Sequence, residues 1–84
     1  MTSIHTTQQL GKVLRAARKL LGLTQSQLAL TAGCGVRFIV DLEAGKPTLR
    51  LEIVLRVIDA LGGWITLSGL PTSTAAGEIG DHGP

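Results

Sequence analysis

Between Thr24 and Gly45 this chain carries two helix starts, two helix stops and a single glycine turn. Thr24 with Gln27 three residues later is a capping box, in which a hydroxyl takes one backbone amide and an amide oxygen takes another. The helix it opens is short, because Ala32-Gly33 ends it. A second short helix runs from about Val36 to Glu43, and Gly45 stops it. Leu28, Ala29, Ile39 and Leu42 fall at buried spacings in the pair. The opening of the second helix, by contrast, is polar or exposed.

Helices are predicted on both flanks. Thr6 or Thr7 is placed to cap a first helix. Its inward stripe is Leu10, Val13, Leu14, Ala17 and Leu21, with Lys12, Arg15 and Lys19 solvated and Gly22 as its stop. After the Lys46-Pro47-Thr48 loop, Thr48 is placed to cap a fourth helix that runs to about Leu61 and ends at Gly62-Gly63. There Leu51, Val54, Leu55, Ile58 and Leu61 make one core stripe, and Ile53 and Val57 lie off it. A helix apolar nearly all round is normally buried on more than one face. Ile53 and Val57 are therefore assigned to a contact with a second subunit.

Trp64-Ile65-Thr66-Leu67-Ser68 has the β-branched and aromatic character of a short strand. A lone strand is not stable in water, so Trp64, Ile65, Thr66 and Leu67 are expected to pair with their copies across a twofold axis. The competing expectation is an extended coil packed on the core. The Gly-, Pro- and Ser-rich stretch 71–84 is expected to be disordered. Residues 1–70 are thus predicted to form one folding and dimerising domain of all-α class, with four to five helices and a short C-terminal strand shared between subunits.

With 84 residues the chain has room for one domain and a small core. All eight Lys and Arg lie between Lys12 and Arg56, whereas Glu78 and Asp81 fall in the tail, so eight basic residues face four acidic ones in residues 1–70. That modest excess is consistent with nucleic acid. The single cysteine, Cys34, forms no intrachain disulfide and fits a reducing compartment. No apolar run approaches the ~20 residues a membrane span needs, and Met1–Gln9 lacks a signal-peptide pattern. The expectation is a soluble, cytoplasmic protein without membrane contact. Neither His5 nor His82 lies in a cluster at metal spacing, and no nucleophile–base pair or phosphate-cradling glycine loop is visible. No metal, cofactor or enzymatic activity is expected.

A capped short helix, small Ala29, the Gly33 turn, and apolar Ile39 and Leu42 in register make a helix-turn-helix, whose second helix lies in the DNA major groove. Gly22-Leu23-Thr24-Gln25, Leu28-Ala29, Gly33, Ile39, Leu42-Glu43 and Gly45-Lys46 resemble the Cro and repressor (XRE) family over residues 8–62. The resemblance implies a lambda-repressor-like fold. The run from Arg37 to Pro47, the chain length and the Trp64–Ser68 segment are similar to a narrower group, the HipB-like antitoxins. That group represses its own operon as dimers and partners a HipA-type Ser/Thr kinase toxin. The implied partners are a palindromic double-stranded operator, a second copy of the chain, and such a kinase. Two alternatives stand beside this: a stand-alone phage-type or metabolic repressor, and a protein-only kinase inhibitor without DNA binding.

By resemblance, Gly35, Val36, Arg37, Val40 and Asp41 face base edges. A guanidinium such as that of Arg37 can bind guanine O6 and N7 together, worth about 1–3 kcal/mol of discrimination. Asp41 can accept from cytosine N4, and lying four residues after Arg37 it is placed to hold that side chain in a base-reading pose. Gln25, at a helix start, is expected on a phosphate. Lys46, Thr48 and Arg50 follow the recognition helix and are expected on the phosphate backbone, with Lys12 and Arg15 behind them. Arg18 and Glu43 resemble the family's ion pair between the first and third helices, a structural role. Packing is the expected role of Cys34.

Overall fold

Local chemistry sets the ends of the helices in this computed structural model, which describes residues 3–71. Four α-helices follow in order: α1 (Thr7–Leu20), α2 (Gln25–Ala32), α3 (Val36–Glu43) and α4 (Leu51–Ala60). Two of them begin with a full capping box. The Gln9 amide donates to the Thr6 hydroxyl at 3.0 Å and the Thr6 amide to Gln9 Oε1 at 3.1 Å. At α2 the Gln27 amide donates to the Thr24 hydroxyl at 3.1 Å, and the Thr24 amide to Gln27 Oε1 at 2.8 Å. Each box satisfies two amides that a helix start would otherwise leave open.

All four helices end in the same way, at a glycine with positive φ. At α2 the Cys34 amide donates to the Ala29 carbonyl at 3.0 Å and Gly33 to Leu30 at 3.3 Å. At α3 the Lys46 amide donates to the Asp41 carbonyl at 3.0 Å and Gly45 to Leu42 at 3.1 Å. This pair of bonds reverses the chain and needs a left-handed residue at its pivot, which glycine adopts without a Cβ penalty.

The core is Leu14, Leu28, Ala29, Ala32, Ile39, Leu42, Val54, Val57 and Ile58, with Leu10, Phe38, Leu49 and Leu61 among those packed against it. α3 lies against α1 and α2, and α4 docks on α2. Leu28, Ile39 and Val57 are fully buried; each such side chain stabilises the fold by about 1.5–3 kcal/mol.

The inward faces of two helices differ from the sequence expectation. On α4 the buried face is Val54, Val57 and Ile58, while Leu51 and Leu55 stand 66% and 44% exposed. Val57 is therefore a monomer core residue and not part of a subunit interface. Two helical stripes share Val54 and Ile58, and the one turned inward passes through 57 rather than 51 and 55. Ile53 remains half-buried. On α1 the buried face is Gly11, Leu14 and Arg18, and Leu21 is exposed. Thr48 does not cap α4: Arg50 holds that position with φ −66° and ψ 120°, because Leu49 first returns to the core.

Gly11 is the closest seam of the fold. A Cβ built there would meet the carbonyl oxygens of Leu42 and Glu43 at 2.5 and 2.8 Å. A second seam joins the start of α1 to the end of α3. Thr7 Oγ1 donates to the Gly45 carbonyl at 2.7 Å, and a Cβ on Gly45 would fall 2.9 Å from Gln8 Cα.

Residues 63–71 carry neither helix nor strand, and Trp64 is 81% exposed, with Ile65, Thr66 and Leu67 also exposed. The alternative of a coil packed on the core is thereby set aside. A strand shared between subunits would take its hydrogen bonds from a second copy, which a single chain does not supply. Apart from Pro71, the expected disordered tail lies outside the described residues.

Candidate nucleic-acid interface

The buried positions of α3, Ile39 and Leu42, fix which side of that helix remains outside. Gly35 occupies its N-cap position and is exposed, Val36 is 44% exposed, and the Arg37 side chain stands almost fully in solvent. Val40 and Asp41, one turn on, are half-buried. Val36, Arg37, Val40 and Asp41 share one face by helical spacing, whereas Gly35 stands at the N-cap in line with the Ile39–Leu42 stripe.

Asp41 joins two cations on that face. Its Oδ1 lies 3.2 Å from Arg37 Nε and its Oδ2 lies 3.6 Å from Lys46 Nζ. The reversal at Gly45 accounts for the second contact, since it returns the Lys46 backbone to Asp41's own carbonyl. Thr48 and Arg50 lie exposed beyond this cluster in the loop before α4.

Beneath the face sits a second carboxylate, Glu43. Arg18 Nε donates to Oε2 at 2.6 Å and Arg18 Nη2 to Oε1 at 3.0 Å, while Arg18 Nη1 donates to the Leu23 carbonyl at 2.8 Å. The Gln25 side-chain amide completes the set at 3.2 Å from Oε1. Burial pushes the Glu43 carboxyl up, but hydrogen bonds from Arg18 and Gln25 and the charges of Arg18 and Arg15 outweigh it, so its pKa lies below the ordinary glutamate value. The hydrogen bond to Glu43 raises the Arg18 pKa against its burial. Both side chains are over nine-tenths buried, and among the described residues no buried side-chain polar atom lacks a partner. This node joins α1, α2 and α3.

Gln25, expected on a phosphate, thus has its side chain turned to Glu43 in the free chain. The first amides of α2 have no carbonyl within the helix to bond. The Thr24 hydroxyl takes the Gln27 amide, and a groove beside this helix start is lined by Arg15, Arg18, Leu23, Thr24, Gln25 and Glu43. Burial raises the Cys34 thiol against the nearby charge of Arg56. A protonated thiol packed beside the core is a poor nucleophile.

Sequence reasoning missed Gly11, the Thr7–Gly45 bond and the Lys46–Asp41 contact. A readable signal existed for the last: a helix ending at a left-handed glycine brings the next residue back over the one five positions earlier. Among the described residues no helix is long and apolar enough to cross a membrane.

A family model described as helix-turn-helix matches residues 14–65. A curated relative, the uncharacterized HTH-type transcriptional regulator y4mF of Sinorhizobium fredii (strain NBRC 101917 / NGR234), is 51% identical over 59 residues, which cover 70% of this chain and 78% of the relative. A chain of the solved HipB-O4 20mer complex superposes with a TM-score of 0.77 at 24% identity, covering 84% of this chain and 100% of its own length. A chain of the HipA-HipB-O2-O3 complex gives the same four values. A chain of a HipB-O1-O2 complex gives 0.75 at 25% identity, covering 81% of this chain and 99% of its own length. The first two likenesses concern the fold alone.

Proposed function

Because this chain belongs to the helix-turn-helix family of transcriptional regulators, we propose that it is a dimeric, sequence-specific repressor with α3 as its recognition helix. One observation carries the reading: Arg37 projects into solvent from the first turn of a helix whose opposite face is locked into the core. Val36 and Val40 flank it with methyl groups suited to thymine, and Asp41 offers an acceptor for cytosine N4. Gln25, Lys46, Thr48 and Arg50 grip phosphates around this centre, joined by Arg15 from the groove at the start of α2. Two such helices enter successive major grooves ~34 Å apart on a palindromic site.

The second copy covers the apolar surface that one chain leaves open. Leu51 and Leu55 on α4 and Trp64, Ile65 and Leu67 after it are all exposed, and Ile53 and Thr66 lie among them. The partner is a HipA-type kinase, and the complex represses its own operon. The resemblance of the Arg37–Pro47 run and the Trp64–Ser68 segment to the HipB-like antitoxins supports this part. The relative at 51% identity, described only as a transcriptional regulator, favours a second reading, a repressor without a toxin.

The test mixes the protein with its own upstream DNA, with and without the product of the neighbouring gene, and measures the size of each complex. A dimer on DNA that grows when the neighbour is added is the expected result, and no growth leaves the stand-alone repressor. In the same assay Arg37→Ala should weaken binding by about five- to a hundred-and-fiftyfold, corresponding to about 1–3 kcal/mol. Equal binding by wild type and variant on every operator sequence would refute the base-reading role.

A further inference from the structure

We infer that Asp41 is a specificity-determining residue: through one carboxylate it holds Arg37 and Lys46 together and withholds their charge from DNA of the wrong sequence. The inference rests on the DNA-binding reading above and adds a mechanism of discrimination to it.

The geometry divides the carboxylate between two cations, with Oδ1 toward Arg37 Nε at 3.2 Å and Oδ2 toward Lys46 Nζ at 3.6 Å. An ordinary surface ion pair is weak, because two long side chains must be ordered to make it. Here the backbone does much of that ordering. The Lys46 amide donates to the Asp41 carbonyl at 3.0 Å, and Gly45 between them is held by Thr7. Asp41 is itself only 17% exposed, so its carboxylate is the fixed member of the three.

Non-specific binding is the neutralisation of phosphates and takes no account of sequence. On random DNA a phosphate competes with Asp41, whose Oδ2 lies 3.6 Å from Lys46 Nζ, for that ammonium. Oδ2, so bared, faces the phosphate backbone while Arg37 alone remains on Oδ1. On a matching site all three groups change partners together: Arg37 moves to a guanine, Asp41 to a base amino group, and Lys46 to a phosphate. A wrong base breaks this exchange at its centre. Asp41 therefore discriminates by penalising the wrong partner, the repulsive half of specificity.

The test compares the wild type with Asp41→Asn on two duplexes of equal length, the protein's own upstream DNA and a random sequence, across a salt titration. Asn keeps the shape and removes the charge. Asp41→Asn should bind the random duplex about tenfold more tightly at ~50 mM salt, with a log–log salt slope steeper by about one, as one added phosphate contact requires. The preference for upstream DNA should fall by at least the same factor, and adding Lys46→Ala should remove the extra slope. If wild type binds upstream DNA while Asp41→Asn leaves random-duplex affinity and slope unchanged, the inference is overturned alone. Weaker binding to both duplexes alike would also overturn it, since that is the mark of a merely structural residue. A wild type that binds neither duplex at low salt overturns the DNA reading itself, and this inference with it. Should Asp41→Asn not fold, Asp41→Ser carries the same comparison.

Discussion

Gly11→Ala sets two rules against each other with opposite signs. Within a helix alanine is favoured over glycine by about 1 kcal/mol, and Gly11 lies well inside α1. Propensity alone thus predicts a more stable protein. The structure predicts the reverse. The new methyl would lie 2.5 Å from the Leu42 carbonyl oxygen and 2.8 Å from that of Glu43, where ordinary contact begins at 3.4 Å. Nearly 1 Å of relative motion is required, and both sides of the contact are backbone. Overpacking of this kind costs about 1–3 kcal/mol, and with no flexible side chain to yield, the upper end applies. After the propensity gain, the net loss is about 1–2 kcal/mol, or about 5–15 °C in Tm for a domain this small. Thermal and urea unfolding followed by circular dichroism measure it. Ala16→Gly, on the exposed side of the same helix, reports propensity alone and should lose about 1 kcal/mol. A Gly11→Ala protein as stable as the wild type, or more so, would refute the claimed backbone approach of α1 and α3.

Two further predictions concern the Glu43 node. Glu43→Gln leaves Arg18 buried without a counter-charge and should cost about 3–5 kcal/mol in urea unfolding, whereas Arg18→Met with Glu43→Leu, which removes both charges, should cost far less; equal losses would exclude the node as described. The folded Glu43 pKa lies below its unfolded value, so its contribution is fully present above the ordinary glutamate range. It is lost as pH falls through that range toward the folded value, because the unfolded chain takes up the proton first. Tm measured from neutral pH downward should therefore fall in that window for the wild type and fall less in the double variant.

What could be read from the sequence was mostly local. The boxes at Thr6–Gln9 and Thr24–Gln27 span three residues each, and the glycine stops act on their own turns, so these helix ends were legible, whereas the start of α4 at Arg50 was not. The buried pairs Leu28–Ala29 and Ile39–Leu42 were legible because each short helix has one apolar stripe. On α4 the same reasoning failed. Leu51, Ile53, Val54, Leu55, Val57 and Ile58 satisfy two helical stripes, and only docking on α2 decides that Val57 is inside. Gly11 gave no sign, because its reason lies in the carbonyls of Leu42 and Glu43, far away in the chain. Arg18 and Glu43 are 25 residues apart, and no spacing rule joins them; the family resemblance did. At the site, the exposure of Arg37 followed from the phase of α3. The bond from Gln25 to Glu43 did not, since it depends on how α2 and α3 meet.

The node at Glu43 has a consequence for grafting. An eight-residue helix such as α3 is too short to persist alone in water. Its last residue instead takes hydrogen bonds from α1 and α2, and its final carbonyls rest on Gly11. The reading surface is consequently not a portable peptide. Transplanting Val36 to Lys46 into another scaffold would carry over the residues proposed to read bases but not their angle, unless equivalents of Gly11, Arg18 and Gln25 travelled with them. Within this framework the outer face of α3 can be rewritten residue by residue, so the same three-helix clamp can present different sequence preferences.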